Sequence, residues 1–384
     1  MPFCNVAQRD TTQVDWSSGS AATTLPIANF SACKLEAVYY PPDGKTYAYA
    51  DVVDFNDPYY PASYSSEVGV FSSPDGRTRW EYHGIVIPRG KNGSWDGGGI
   101  ASPGAAVADD GTVVVGYSAE RSPSGGANRG IGIAFAPHPL GPFAKQTTPL
   151  ASPTELCGGT GRCDDVIMQS WPGDAAKRGE IHIYHSVKGS SDANNNGIRH
   201  RVSTDGGKTW GRSELVLTTG LQPGTDPAES IAGKYFPDLL GPGQGAMVLI
   251  TDGGVGATPL HTYVSSSPGN MSYFVAAAEP TLSPSELPPA PPPSRMDAAA
   301  HRLAEGGGRG GGARSIVEVP VPPKHPPHKG AWAMNQIAFV PDKDGAITMV
   351  SYALYTGEAV WVNRRQQYSM AYTHTIYKLI GKPT

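Results

Sequence analysis

Ser203-Thr204-Asp205-Gly206-Gly207-Lys208-Thr209-Trp210 is the stretch from which the fold can be read. Three further octets align with it without gaps: Ser73-Pro-Asp-Gly-Arg-Thr-Arg-Trp80, Ala136-Pro-His-Pro-Leu-Gly-Pro-Phe143 and Ser267-Pro-Gly-Asn-Met-Ser-Tyr-Phe274. Each ends in a large aromatic residue, and these aromatics recur every 63 to 67 residues. Each octet follows a short β-rich run: Val68–Phe71, Ile131–Ala134, Ile198–Val202 and Thr262–Val264. Further upstream a turn precedes a second run: Asp43-Gly44 before Thr46–Tyr49, Asp110-Gly111 before Thr112–Val115, Gly179 before Ile181–Tyr184, and Gly245 before Met247–Ile250. A fifth copy begins at Asp344-Gly345 before Ile347–Val350, with Tyr377 in the place of its aromatic. Five units of roughly 65 residues, each with about four strands, describe an all-β fold: a five-bladed β-propeller of four-stranded antiparallel blades. Asp-Gly between alternating runs is a strong hairpin signal and supports the same reading.

Residues 1–384 read as a single propeller domain with one composition break. Over 283–328 the chain includes Pro288-Pro289-Ala290-Pro291-Pro292-Pro293 and the Gly-rich run Gly306–Gly312. Such a stretch cannot bury apolar surface, so a disordered insertion on the rim is expected, with a short helix over 295–305. The octet at 203–210 has the S-x-D-x-G-x-T-W pattern and resembles the Asp-box of sialidases and other propellers. Physically it is a turn in which the Asp carboxylate accepts backbone N–H groups, Gly permits positive φ, and Trp packs between sheets. Asp75 and Asp205 are therefore expected to be structural.

The chain carries 30 Lys+Arg against 34 Asp+Glu, a formal net charge of −4 with no basic cluster, which argues against a nucleic-acid partner. No window holds 18 consecutive apolar residues, so no transmembrane helix and no membrane partner are expected. Its 48 Gly, 36 Pro and 17% charged residues favour tight turns and short strands over long helices. Of the four cysteines, Cys157 and Cys163 enclose a loop of five residues, mostly Gly, that can close as a disulfide; Cys4 and Cys33 could pair likewise. The absence of a C-x-x-C pair speaks against a zinc knuckle. Sequons at Asn29, Asn92 and Asn270 agree with a secreted or extracytoplasmic protein. The start MPFCNVAQRD lacks the apolar region of a signal peptide, as a trimmed mature form would.

In a propeller the first strand of each unit lines the central channel. The corresponding segments are Lys34–Tyr39, Ala101–Val107 preceded by Trp95-Asp96, Cys163–Met168, Tyr235–Leu240 with Glu229 upstream, and Met334–Phe339. Three of the five carry acids: Glu36, Asp165 and Asp238. Carboxylates converging on a channel repel one another, which raises at least one pKa enough for that group to act as an acid. Glycoside hydrolysis needs that combination, a protonated carboxyl for the leaving oxygen and an ionised one as base or nucleophile. Trp95, Asp96, Ser102, Asn335 and Tyr60 are candidate sugar-binding residues, with Tyr59 and Tyr64 adding aromatic surface for stacking.

Trp95-Asp96, Ser102-Pro103, Asp110-Gly111, Tyr117-Ser118, Ile131-Gly-Ile-Ala134 and Pro139-Leu-Gly-Pro-Phe143 resemble the five-bladed glycoside hydrolases of the arabinanase, xylosidase and invertase superfamily. The resemblance implies a glycosidase with a carbohydrate substrate. It implies no cofactor, with room for a structural calcium ion in the channel, and a monomer. In that superfamily blade one supplies a base or nucleophile, blade three an Asp that stabilises the transition state or tunes a pKa, and blade four the acid. Carried over, these roles fall to Glu36, to Asp165, and to either Glu229 or Asp238. The sequence departs from the family where an Asp-Pro pair is usual, offering Glu36-Ala37, and where a fifth-blade His is usual, offering Asn335 or Gln336.

Other chemistries fit parts of the same chain. A sialidase would need an Arg triad, for which Arg121, Arg129 and Arg201 are available, but six blades. A polysaccharide lyase would use a His or Tyr base, for which His182, His185 and His200 are available. A non-catalytic carbohydrate-binding propeller would use the aromatic residues alone.

Overall fold

The structure, a computed structural model, describes residues 14–15, 20–24, 30–54, 66–74, 81–91, 93–120, 130–157, 162–170, 179–188, 196–218, 231–236, 246–251, 261–265 and 275–276, and the strands between 337 and 383. The expected insertion at 283–328, its helix, Asp75 and Cys4 lie outside the described residues.

Two short strands, β1 (Val14–Asp15) and β2 (Ser20–Thr24), precede five antiparallel sheets. Blade I consists of β3 (Phe30–Tyr40), β4 (Lys45–Asp54), β5 (Ser66–Ser73) and β6 (Glu81–Ile87). Blade II consists of β7 (Gly99–Val107), β8 (Val113–Glu120), β9 (Gly130–Ala136) and β10 (Ala144–Lys145). Blade III follows with β11 (Arg162–Ser170), β12 (Ile181–Lys188), β13 (Gly197–Ser203) and β14 (Glu214–Thr218). Blade IV has β15 (Ile231–Phe236), β16 (Ala246–Thr251), β17 (His261–Ser265) and β18 (Val275–Ala276).

Blade V begins with β19 (Ile337–Pro341) and β20 (Ile347–Ser351). Two small ribbons follow, in which β21 (Leu354–Tyr355) pairs with β24 (Tyr372–Thr373) and β22 (Glu358–Val362) with β23 (Arg365–Ser369). The blade then continues through β25 (Thr375–Pro383), whose far edge pairs with both β1 and β2. The N-terminal segment thus supplies the outermost strand of the last blade. First strands touch in the cyclic order β3, β7, β11, β15, β19 and back to β3, which closes five sheets into a five-bladed propeller. Blade IV differs from the sequence reading in one respect. Its first strand occupies Ile231–Phe236, four residues earlier than the Tyr235–Leu240 segment expected to line the channel.

Local chemistry explains the elements. Second strands are paired on both edges and covered on both faces, so Val113, Val114 and Val115 are all fully buried and read as a continuous apolar run. The hairpins before them close through Asx-type contacts: Asp43 Oδ1 accepts the Lys45 N–H at 3.0 Å and Asp110 Oδ1 the Thr112 N–H at 2.9 Å. At 203–210 the Asp205 carboxylate accepts the N–H groups of Lys208 and Thr209 and the Thr209 hydroxyl. These bonds, led by the Thr209 N–H, pull the Asp205 pKa down to about 2. Gly206 and Gly207 take positive φ values of 73° and 90°, and Trp210 packs against the apolar layer between blades II and III. Asp205 is structural.

Among the described residues, three apolar layers fill gaps between neighbouring blades. Tyr49, Val70, Val113 and Tyr117 lie between I and II, Val114, Ile133, Val166 and Met168 between II and III, and Ile167, Tyr184, Ile231 and Leu249 between III and IV. Two glycines of blade II come close against blade III. A Cβ at Gly104 would sit 2.5 Å from the Val166 carbonyl oxygen, and one at Gly116 would sit 2.8 Å from the Val166 side chain. Gly104→Ala should therefore destabilise the protein by roughly 1–3 kcal/mol through overpacking against backbone that has no room to move. Chemical denaturation of the variant beside wild type checks this, and an unchanged midpoint would contradict it.

Candidate active site

The first strands of blades II and III are bulged at the same register. In β7, Ser102 and Pro103 together face the single Tyr117 of β8, between the pairs Ala101–Ser118 and Gly104–Gly116. In β11, Asp165 and Val166 together face His185 of β12, between the pairs Asp164–Ser186 and Ile167–Tyr184. Ser102 and Asp165 both adopt left-handed backbone, with φ of 50° and 48°. Such a conformation in a residue other than glycine costs on the order of 1–3 kcal/mol and persists only where surrounding contacts enforce it. β3 has an irregularity at the matching place, between Cys33 and Leu35, so its bulged residue is Lys34.

Buried hydrogen bonds link these bulges across blades. Asp51 Oδ1 on β4 accepts the Ser102 N–H at 3.3 Å. The Ser102 hydroxyl donates to Asp164 Oδ1 at 2.6 Å, and the Ser118 hydroxyl lies 3.2 Å from the same oxygen. That oxygen also accepts the Asp165 N–H at 3.1 Å. The Ser186 hydroxyl is 3.4 Å from Asp165 Oδ2. The disulfide between Cys157 and Cys163 ties the short helix Pro153–Cys157 to the start of β11, two residues before Asp165. The sequence reading of that pair stands.

Glu36 is the other acid brought to the ring of first strands. It is only 3% exposed, and its Oε1 is buried with no hydrogen-bond partner among the described residues. Burial pushes its pKa up to about 8, against the pull of the Lys234 ammonium on the first strand of blade IV. Burial in turn lowers the pKa of Lys234, while Glu36 works to raise it. Glu36 pairs with Tyr49 on β4, as Ile167 pairs with Tyr184 on β12. Glu36 therefore matches Ile167 and Gly104 in register, two residues beyond the bulge, and the blade I counterpart of Asp165 is Lys34.

The remaining sequence candidates are placed as follows. Ser102 joins the network just described. Trp95 and Asp96 go to the outer part of blade II. Asp96 is buried in an ion pair of 2.7 Å with Lys145 of the outermost strand, and Trp95 stacks on Tyr117 while donating to the Thr147 carbonyl. Glu229, Asp238, Asn335 and Tyr60 lie outside the described residues, as do Arg121 and Arg129. Arg201 is neither on a rim nor solvated: it is 4% exposed and paired with Glu155 at 2.6 Å. The blade III histidines are also buried. His182 sits between Glu180 and His200, which stacks on Tyr184, and burial lowers the His185 pKa to about 3, leaving it neutral near pH 7. No three His, Cys, Asp or Glu side chains among the described residues form a metal-binding group.

Sequence reasoning missed Lys234, Asp164 and Asp51. Asp164 was adjacent to a candidate and could have been weighed with it. Lys234 carried no motif, because its role comes from a strand facing Glu36 from another blade.

No protein-family model matches the sequence, and no curated protein matches it either. Among solved structures the chain is similar to the endo-arabinase from Bacteroides thetaiotaomicron VPI-5482, with 13% identity over 95% of this chain and 97% of that one and a TM-score of 0.53. It is similar to a thermostable family-43 glycoside hydrolase at 14% identity, over 92% and 97% of the two chains, with a TM-score of 0.51. A third structure, described as a glycoside hydrolase, shares 11% identity over 99% and 96% of the chains with a TM-score of 0.57. At such identities the likeness establishes a common fold.

The buried Glu36 also sets a pH dependence of stability. Its folded pKa of about 8 lies above its ordinary value of 4.5, so the folded state holds this proton more tightly. The associated stability is complete below pH 4.5 and is lost as pH rises through 8. Glu36→Gln, neutral at every pH, removes that loss. The melting temperature of the variant minus that of wild type should grow from pH 5 to pH 9, and a flat difference would refute this account of the residue.

Proposed function

We propose that this protein is a glycoside hydrolase acting on an oligo- or polysaccharide by paired-carboxyl chemistry. The observation that carries the reading is the Glu36 carboxyl, buried on a first strand of a propeller with one oxygen unpartnered among the described residues. A carboxyl that keeps its proton near neutral pH suits protonation of a leaving glycosidic oxygen. We therefore assign Glu36 the proton-donor role and not the base role that the resemblance suggested. Asp165, held at the bulge of β11, supplies the second carboxyl group, and Glu229 or Asp238 remains the blade IV candidate. Lys234 limits how far the Glu36 pKa rises. The disulfide suits an oxidising compartment and supports a secreted or extracytoplasmic location.

A second reading, a carbohydrate-binding propeller without hydrolysis, is favoured by one observation: the residue in register with Asp165 on blade I is Lys34, which is not an acid. Incubation with arabinan, xylan, fructan, galactan and sialoside substrates separates the two. Product release supports the hydrolase, whereas retention on a glycan without product supports the binding module. For a substrate that is cleaved, Glu36→Gln should lower kcat by roughly 10²–10⁴-fold. Lys234→Met removes a cation that favours the ionised form of Glu36, so the basic limb of the kcat/KM profile should move to higher pH. A limb that stayed in place or moved down would exclude Glu36 as the donor.

A further inference from the structure

We infer that Asp164 is a positioning residue, which holds Asp165 in its left-handed backbone conformation by tying the bulge of blade III to the bulge of blade II. The kinetic part of this inference rests on the hydrolase reading above; the conformational part does not.

The geometry is specific to one oxygen. Asp164 Oδ1 receives the Ser102 hydroxyl at 2.6 Å and the Asp165 N–H at 3.1 Å, with the Ser118 hydroxyl at 3.2 Å. The Ser118 hydroxyl has a single proton, and it also lies 3.0 Å from the Ala101 carbonyl oxygen, so it is shared between the two acceptors. The Ser102 contact, at 2.6 Å, is the shortest of the three named here. Asp164 is 6% exposed and Ser102 2% exposed, so water does not compete effectively for either group.

Two strained residues thus brace each other. The Asp165 N–H points at the side chain of the residue before it, and this bond fixes the peptide unit that enters Asp165. The same oxygen fixes the Ser102 side chain, while Asp51 of blade I fixes the Ser102 N–H. The belt Asp51–Ser102–Asp164 therefore spans three blades, from the one carrying Glu36 to the one carrying Asp165. Without it the bulge of β11 could relax to ordinary strand geometry, and the Asp165 carboxyl would move relative to Glu36. A shift of about 1 Å in a reacting group can cost roughly 10²-fold in rate.

The test compares crystal structures and kinetics of Asp164→Ala and Asp164→Asn with wild type. In Asp164→Ala the φ of Asp165 should leave the left-handed region, and kcat should fall roughly 10²-fold with KM little changed. Asp164→Asn keeps an acceptor oxygen, so it should retain the Asp165 backbone and restore most of kcat. A folded Asp164→Ala protein with Asp165 unmoved, or with kcat within about two-fold of wild type, overturns the inference. If Asp164→Ala does not fold, the double variant Ser102→Ala/Ser118→Ala removes the two blade II hydroxyls that approach Asp164. Its kcat should fall with KM retained, and an unaltered kcat overturns the inference. If wild type cleaves no glycan, the hydrolase reading fails, and the Asp165 backbone in the variant crystals alone decides the role of Asp164.

Discussion

Where β7 passes β11, an added carbon at Gly104 would lie within van der Waals collision of the Val166 carbonyl. Five first strands share one axis, and the space between them is set by such backbone-to-backbone approaches. Everything farther out inherits that spacing. The second strands carry Tyr49, Tyr117 and Ile183 in the apolar layers, whereas β7 has Gly104 and Ala105 where it passes β11. Near the axis the carboxyl of Glu36 and the ammonium of Lys234 are shifted first by burial and then by each other.

The polar groups near the axis answer that burial in two different ways. Asp51, Ser102 and Asp164 satisfy one another, so their burial is offset by hydrogen bonds that also fix backbone shape. Glu36 has no such bond on Oε1, and burial is met instead by holding a proton. The first arrangement gives rigidity and the second gives a group able to part with a proton. A site for acid-assisted chemistry needs both, one to set distance and the other to respond to substrate.

Much of the fold was legible because turn chemistry is local. Asp43-Gly44, Asp110-Gly111 and the octet ending at Trp210 each hold their own hydrogen bonds within a few residues, so their spacing revealed the blade repeat. The Cys157–Cys163 disulfide was legible for the same reason. The site was legible only in part. Glu36 and Asp165 were singled out as channel acids and both are buried on first strands, yet in register they stand two residues apart, which only the strand pairing reveals. The start of β15 was placed four residues late, at Tyr235 in place of Ile231. Trp95 and Asp96 were singled out from their neighbours in sequence, and their partners Tyr117 and Lys145 lie too far along the chain for sequence to show.

Val14 lies opposite Pro383 in the finished ring. The outermost strand of the last blade is made long before its partner β25, so the ring cannot close until the last blade has been made. At a synthesis rate of about 5–20 residues per second, the earlier blades have seconds to form before that strand can find its place. Through that interval the flank of β3 that will meet β19 has no cover, and the N-terminal segment has no edge to join. The last step of folding is then a very long-range encounter, of the slow kind expected when distant segments must meet. The interval before that closure is when this chain is most open to pairing with a neighbour, and slower translation of its final blade would lengthen that exposure.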